Sequence, residues 1–452
     1  MKIKMFYKFI KNNRSFLFLW LAQIFSQLSI SILNFVLAIS IYTETKSNFA
    51  VSILLVAYGL PAFLFSIVSG VFVDRFDRKK TMAFVNLSRA FFLFVFLFFP
   101  SNILSITILL AFIMSALTQF FFPAEGATIP NIVKKKDLIL ANSLYTTTYF
   151  ISQVLGYLFA GPLFKAVSYK GVLFILFVLF FLAALFIWIM GGKTFTILDL
   201  WRGFVNKLKP KRTIIGDVKK DLNSAWVYLK SVPALLNVLI ILGVSQIVTY
   251  MFVSLMPGFG FEVLGIETSD VSLVLMGPAV LGVGVGAFLV HKLSKKFNSD
   301  NLINIGILGS GTVFLILSFI RRVPLKTVKY SLGFLRFAPL QRFFPHEFTK
   351  LLGVDVILFA LILVFFIGVF SSFIIVASNA KMQRHCADNM RGKMYGLLQT
   401  IVTAGALLPL LLGGLLADKF GVLKIIGVSG ILIVFVGIIK VGKNLKTKCI
   451  PI

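Results

Sequence analysis

Charge is the scarcest commodity in this 452-residue sequence. Asp, Glu, Lys and Arg together make up 13%, and acids are rarer still, 16 against 45 basic residues. Histidine occurs three times and cysteine twice. These shortages exclude most chemistry. There is no H-E-x-x-H, no pair of acids in mid-helix and no Ser/His constellation, so no catalytic set is available. No G-x-x-x-x-G-K-[S/T] exists to cradle a nucleotide phosphate, which excludes an ATP-driven pump. No metal or organic cofactor is implied. Cys386 and Cys449 fall on segments expected to face the cytoplasm, where disulfides do not persist. His291, His346 and His385 all fall in loops. None of the sixteen acids lies near the centre of an apolar run, so a midplane carboxylate for simple proton antiport is missing. Glu262 and Asp355, near the outer face, stay open as coupling groups.

What is abundant is apolar length. The chain is 58% hydrophobic, with a mean hydropathy of +0.97, beyond the usual composition of a water-soluble fold. Twelve runs long enough to span a bilayer recur, at roughly 15–42, 48–73, 81–99, 102–123, 139–166, 171–191, 233–257, 268–290, 301–320, 353–379, 394–416 and 421–440. Backbone groups cannot go unpaired in lipid, so such runs are helices. The reading is an all-α polytopic membrane protein with 12 transmembrane helices.

The net charge of +29 does not point to nucleic acid. With the N-terminus inside, 32 of the 45 Lys/Arg fall on inner segments and 12 on outer loops, leaving Arg89 within a span. Basic loops on the cytoplasmic side orient membrane proteins, here with both termini cytoplasmic. Membrane lipids are therefore expected partners and nucleic acid is not. The opening MKIKMFYKFIKNNR resembles the basic region of a signal peptide, but the apolar segment behind it is too long and lacks a cleavage site. It should stay as the first span of a multi-pass protein of the plasma (inner) membrane.

The runs divide into two groups of six. Residues 1–191 form an N-terminal six-helix bundle and 233–452 a C-terminal one. Between them, 192–232 is a basic cytoplasmic linker in which Val218, Leu222, Ala225, Trp226 and Leu229 share one helical face opposite lysines. Helices of this kind lie on anionic lipid. Six helices, a hinge and six more suggest a duplicated transporter with its site between the halves. Residues 321–350 break the charge pattern, since they carry seven Lys/Arg yet should lie outside.

The second run ends in GVFVDRFDRKK, from Gly70 to Lys80, where a chargeless helix meets a charged knot. Gly70 lets another helix approach closely. Asp74 is an acid suited to the free N–H groups and positive dipole end of a neighbouring helix. Arg78 needs a carboxylate, and Glu125, the acid at the inner end of the fourth span, is the candidate. The spacing G-x-x-x-D-R-x-x-R-K resembles the loop between helices 2 and 3 of the major facilitator superfamily. FLWLAQIFSQLSIS, FFPAEGATIPNIV, LANSL and RGKMYGLLQ extend the likeness toward the branch containing siderophore and macrolide exporters. The resemblance implies that Gly70, Asp74, Arg75, Arg78 and Glu125 form a conformational latch against the eleventh helix, which begins near Arg391–Tyr395. In the second half GAFLVHKLSKKF keeps the glycine, Gly286, but has Val290 where the acid would repeat. Asp77 departs from the glycine common in the family.

Polar residues inside spans mark transport paths more often than chance. Gln23, Gln27, Ser31 and Asn34 share one face of the first helix, and Asn142, Tyr145, Tyr149 and Gln153 one face of the fifth. With Gln119, Gln246 and Tyr250 they supply the candidate cavity residues: Gln23, Gln27, Asn34, Gln119, Tyr149, Gln246 and Tyr250. Arg89 is the intramembrane charge, read mainly as structural, with an anionic substrate as the other use. The expectation is a monomeric secondary transporter working by alternating access, exporting an amphipathic small molecule. Lysophospholipid movement, or a non-transporting scaffold or sensor, is the alternative.

Overall fold

The computed structural model describes residues 9–99, 104–134, 137–191, 227–229, 231–320, 348–386 and 391–448. Most of the expected linker and of the basic 321–350 loop lies outside them. Among the described residues the fold is helical throughout, without strands.

Twelve elements are used below. They are α1 (Arg14–Thr45), α2 (Asn48–Arg75), α3 (Arg78–Phe96), α4 (Leu104–Ile132), α5 (Leu138–Ile189), α6 (Pro233–Gly258), the short α7 (Val271–Val274), α8 (Met276–Leu293), α9 (Ser299–Ser318), α10 (Phe348–His385), α11 (Arg391–Phe420) and α12 (Val422–Lys448). Among the described residues, ten helices are long and apolar enough to cross a membrane, with α5 counted once. Their outer surfaces are greasy: Phe98, Leu281, Phe288, Phe319 and Leu408 are all exposed. A surface of this kind needs lipid around it.

Local chemistry sets the boundaries. Asp77 caps α3, its Oδ1 accepting from the Lys80 N–H at 2.9 Å. This explains an acid where the family commonly has glycine, because an Asp cap satisfies a free donor of the first turn. At the other end of the chain α11 stops at Gly421, whose φ of 93° suits only glycine. Prolines sit inside α2, α4, α5, α6 and α11, as membrane helices tolerate.

The 52 residues of α5 are not one rod. Ser168 has φ 58° and ψ 176°, and the chain doubles back there. Thr148 bonds Gln23 on α1 and Gly156 lies against Ser31, so the first arm runs along α1. Phe186 then stacks on Phe18 and Phe25 of the same helix, so the second arm returns beside it. Two apolar runs of the sequence become one hairpin.

The chain forms two compact units. The first comprises Met1–Ile41 and Leu54–Asp221, the second Tyr42–Ile53 and Leu222–Ile452. The division follows chain order except at the tip of the α1–α2 hairpin, which counts with the second unit. The first unit packs α3 against α4 and α5 around Leu19, Met82, Ala124 and Ala183. In the second, α10 packs on α8 and α9 around Val290, Ile303 and Val369. Gly286 makes the α8–α10 approach possible: a Cβ there would fall 2.5 Å from the Val369 carbonyl oxygen.

Candidate functional site

Arg89 on α3 is the largest fully buried side chain among the described residues, 1% exposed. An unpaired charge in such a place would cost several kcal/mol, about what the effective desolvation of one ion amounts to. Three helices share the task of holding it. Nη1 donates to Ser26 Oγ of α1 at 2.8 Å and to Asn86 Oδ1 at 3.2 Å, and Nη2 donates to Thr118 Oγ1 of α4 at 2.8 Å. Phe121 and Phe180 present their faces to the guanidinium at 5.1 and 5.3 Å. Hydrogen bonds to charged groups contribute about 1.5–3 kcal/mol each, and cation–π contacts add to them. Asn86 thus serves Arg89 as a neutral acceptor.

Glu125 on α4 is equally buried, at 1% exposed. Tyr145 of α5 donates its hydroxyl to Glu125 Oε2, while Oε1 has no protein partner. Glu125 lies one turn along α4 from Phe121, whose ring faces the Arg89 guanidinium. The first unit therefore encloses a basic and an acidic side chain, the first held by three neutral acceptors and the second by one hydroxyl.

This overturns the expected Arg78–Glu125 pair. Arg78 Nη1 donates instead to the Ala127 carbonyl at 2.6 Å, and Lys79 Nζ to the Met190 carbonyl. Depth is the reason. Arg78 sits in the first turn of α3, whereas Glu125 is withdrawn from the surface and already taken by Tyr145. The surroundings of Gly70, the side chains of Asp74 and Arg75, and those of 391–400, lie outside the described residues, as does that of Asp355.

The other candidates separate into groups. Gln23, Tyr149 and Gln119 belong to the first unit. Gln23 Oε1 accepts from Thr148 Oγ1 at 3.1 Å, and the same hydroxyl accepts from Trp20 Nε1 at 2.8 Å. Tyr149 stands edge-on to Phe122, with ring centroids 5.4 Å apart. Gln119 is tied to its own helix through the Ser115 carbonyl. Gln27 bonds Ser31 within α1, and Asn34 Oδ1 is buried without a partner. Gln246 and Tyr250 lie on α6 of the second unit, half-buried and 40% exposed respectively.

A second polar cluster escaped the sequence reading. In the second unit, Asp418 at the end of α11 meets the start of α2. Its Oδ1 accepts from the Asn48 N–H at 2.7 Å and from Asn48 Nδ2 at 3.0 Å. Its Oδ2 accepts from the Phe49 N–H at 3.1 Å and from Ser47 Oγ at 2.6 Å. Glu262 Oε1, in the turn Phe259–Val263 after α6, accepts from Tyr42 Oη at 2.7 Å and Asn48 Nδ2 at 3.1 Å. Lys46 Nζ lies 4.1 Å from the centre of the Phe261 ring. Beside the cluster, Lys46, Glu262, Asp418 and Lys419 border an open cavity of about 540 Å³.

Comparison with known proteins places these features. A family model described as Major Facilitator Superfamily matches residues 19–338. The chain is 27% identical over 323 residues to the uncharacterized MFS-type transporter YkuC of Bacillus subtilis (strain 168), covering 69% of this chain and 72% of that protein. It is 23% identical to the uncharacterized MFS-type transporter YfiS of the same organism, across 91% and 88%. Among solved structures, a bacterial homolog of the human lysosomal transporter Spinster matches with a TM-score of 0.65 at 14% identity, covering 94% and 95%. The nucleoside transporter NupG matches with 0.66 at 10% identity, covering 94% and 98%. Likeness at these identities is likeness of fold.

Proposed function

The chain belongs to the major facilitator superfamily, and we propose that it is a secondary active transporter exporting an amphipathic small molecule of drug, macrolide or siderophore type by alternating access. In this reading twelve spans form bundles 1–191 and 233–452, joined by the basic linker 192–232. Both termini are cytoplasmic, and a monomer resides in the plasma (inner) membrane.

The observation that carries the reading is the enclosed Arg89–Glu125 cluster. Lipid penalises ionisable groups, so a membrane helix bundle that keeps two of them inside uses them. Glu125 is the coupling candidate: one oxygen is held by Tyr145 and the other is unpartnered. The amphipathic substrate is inferred from the candidate lining that the sequence offers. Gln27, Asn34, Gln119 and Gln246 offer scattered amides among many of the 51 phenylalanines, and charges to hold a strongly polar solute are few. That favours an amphipathic compound over the nucleosides and peptides carried by proteins of similar fold. A lysophospholipid suits the same lining and is the second reading.

At the inner face, Gly70, Asp74 and Arg75 serve as the latch of one pose of the cycle, the role that the family resemblance implies for them. Arg78 braces the knot through the Ala127 carbonyl. A drug- and lipid-uptake panel in cells expressing wild type beside Asp74→Asn tests the proposal. One compound class should change its accumulation with wild type and revert with the variant, and ionophore sensitivity of that flux would identify the coupling ion. Identical accumulation of every compound in both strains would make the chain a scaffold instead.

A further inference from the structure

We propose that Asp418 is an outer clasp, holding the tip of the α1–α2 hairpin in one pose of the transport cycle and releasing it in the other. The inference rests on the transport reading above for its purpose, though not for its geometry.

Asp418 supplies from outside what α2 lacks at its own beginning. The first N–H groups of a helix have no intrahelical partner and carry a partial positive charge. Asn48 and Phe49 are such residues, and both donate to the Asp418 carboxylate, one oxygen each. Ser47 Oγ adds a third donor and is also bonded by the Ala50 N–H. Ser47 is the local cap, and Asp418, some 370 residues away in sequence, is a second cap laid over it. Asn48 Nδ2 bridges Asp418 and Glu262, and Tyr42 brings the end of α1 to Glu262. Two acids from α11 and the turn after α6 thus grip both helices of one hairpin tip.

Close approach is built in by Gly414, one turn before Asp418. A Cβ at 414 would stand 2.7 Å from the Asn48 carbonyl oxygen and 2.9 Å from Phe49 Cα. Gly421, in the left-handed region just after, turns the chain into α12 without crowding the cluster. The grip is also separable from the body of its helices. Tyr42–Ile53 counts with the second unit, while the remainder of α1 and α2 counts with the first. A rocking cycle must break some of these contacts while keeping others. Hydrogen bonds from a pair of backbone N–H groups to one carboxylate are directional, so they are made or lost together.

The sequence carries the same design twice. Gly414-x-x-x-Asp418-Lys419-Phe420 reproduces the spacing of Gly70-x-x-x-Asp74-Arg75-Phe76. One sits at the end of α11 against the start of α2. The other ends α2, where the proposed partner is the start of α11. Each helix of the pair would cap the other, at opposite faces of the membrane and in opposite poses. Tightening one clasp then favours release of the other.

The experiment uses the full chain in cells, in a Cys386→Ser/Cys449→Ser background with Asn34→Cys as reporter midway along α1. Labelling by a membrane-impermeant maleimide added outside should rise about tenfold on Asp418→Asn, as for a pose shifted by one decade in population. Unchanged labelling of a normally inserted Asp418→Asn protein would overturn the clasp. A second arm guards against misfolding. Ser47→Cys with Asp418→Cys, without the reporter, should cross-link on oxidation and lose whatever transport the reduced double variant shows, and reduction should return it to that reduced level. Full transport while cross-linked would also sink the proposal. The labelling arm needs no substrate, so its failure is distinguishable from failure of the export reading.

Discussion

Tyr145 donates its hydroxyl to the Glu125 carboxylate across the packed faces of α4 and α5. That bond fixes which oxygen of Glu125 is occupied and leaves the other without a protein partner, the feature on which the proposed coupling role rests. Glu125→Gln should lower concentrative export by about tenfold or more, while Tyr145→Phe, which frees an oxygen but keeps the charge, should cost less. Efflux from preloaded cells at matched membrane levels measures both.

Arg89 is held by geometry that only a planar guanidinium fills. Its fork reaches Ser26, Asn86 and Thr118 while its face lies between Phe121 and Phe180. Arg89→Lys keeps the charge but cannot span these acceptors and loses the stacking. A loss of about 2–3 kcal/mol is expected, in the range of broken buried networks. It should appear as a drop of several degrees in melting temperature of the purified protein in detergent.

Arg78 and Glu125 make a negative test. A double reversal, Arg78→Glu with Glu125→Arg, should rescue neither single variant, because the two side chains have different partners. Arg78→Gln retains a donor for the Ala127 carbonyl and should keep more activity than Arg78→Ala. The same efflux assay ranks the series. Rescue by the double reversal would show that the pair forms in another pose.

How much of this was legible in the sequence depends on which property is asked for. Apolar run length follows from bilayer thickness, and it located the helices. It also found both arms of α5, although only the contacts along α1 show where the chain turns. Gly286 was noted only as the repeat of Gly70, and the structure sets it against the Val369 carbonyl. Depth was not legible. Glu125 sits in a run whose residues look alike from end to end, and nothing in FFPAEGATIPNIV says that the acid turns inward to Tyr145. Asp418 was missed for another reason. Its spacing to Gly414 was available, but a charged residue closing an apolar run reads as an ordinary helix end. The inverted placement becomes visible only when the partner, the first turn of α2, is known.

Gly286 permits a direct measurement of the α8–α10 contact. Gly286→Val would drive a branched side chain onto the Val369 backbone. Overpacking of this kind costs about 1–3 kcal/mol or more. Reduced membrane levels are expected, with Gly286→Ala intermediate, by immunoblot of solubilised membranes.

The turnaround at Ser168 has a further consequence, for phase. Each residue of a helix advances the azimuth by about 100°. The two arms of α5 meet at a single non-helical residue, so no slack loop absorbs a change in count. Adding or deleting one residue there would swing everything after it by that angle. Phe180 would leave the guanidinium and Phe186 would leave α1, although both lie far along the chain from the edit. Length at this one corner is as strongly constrained as side-chain identity is anywhere in the bundle.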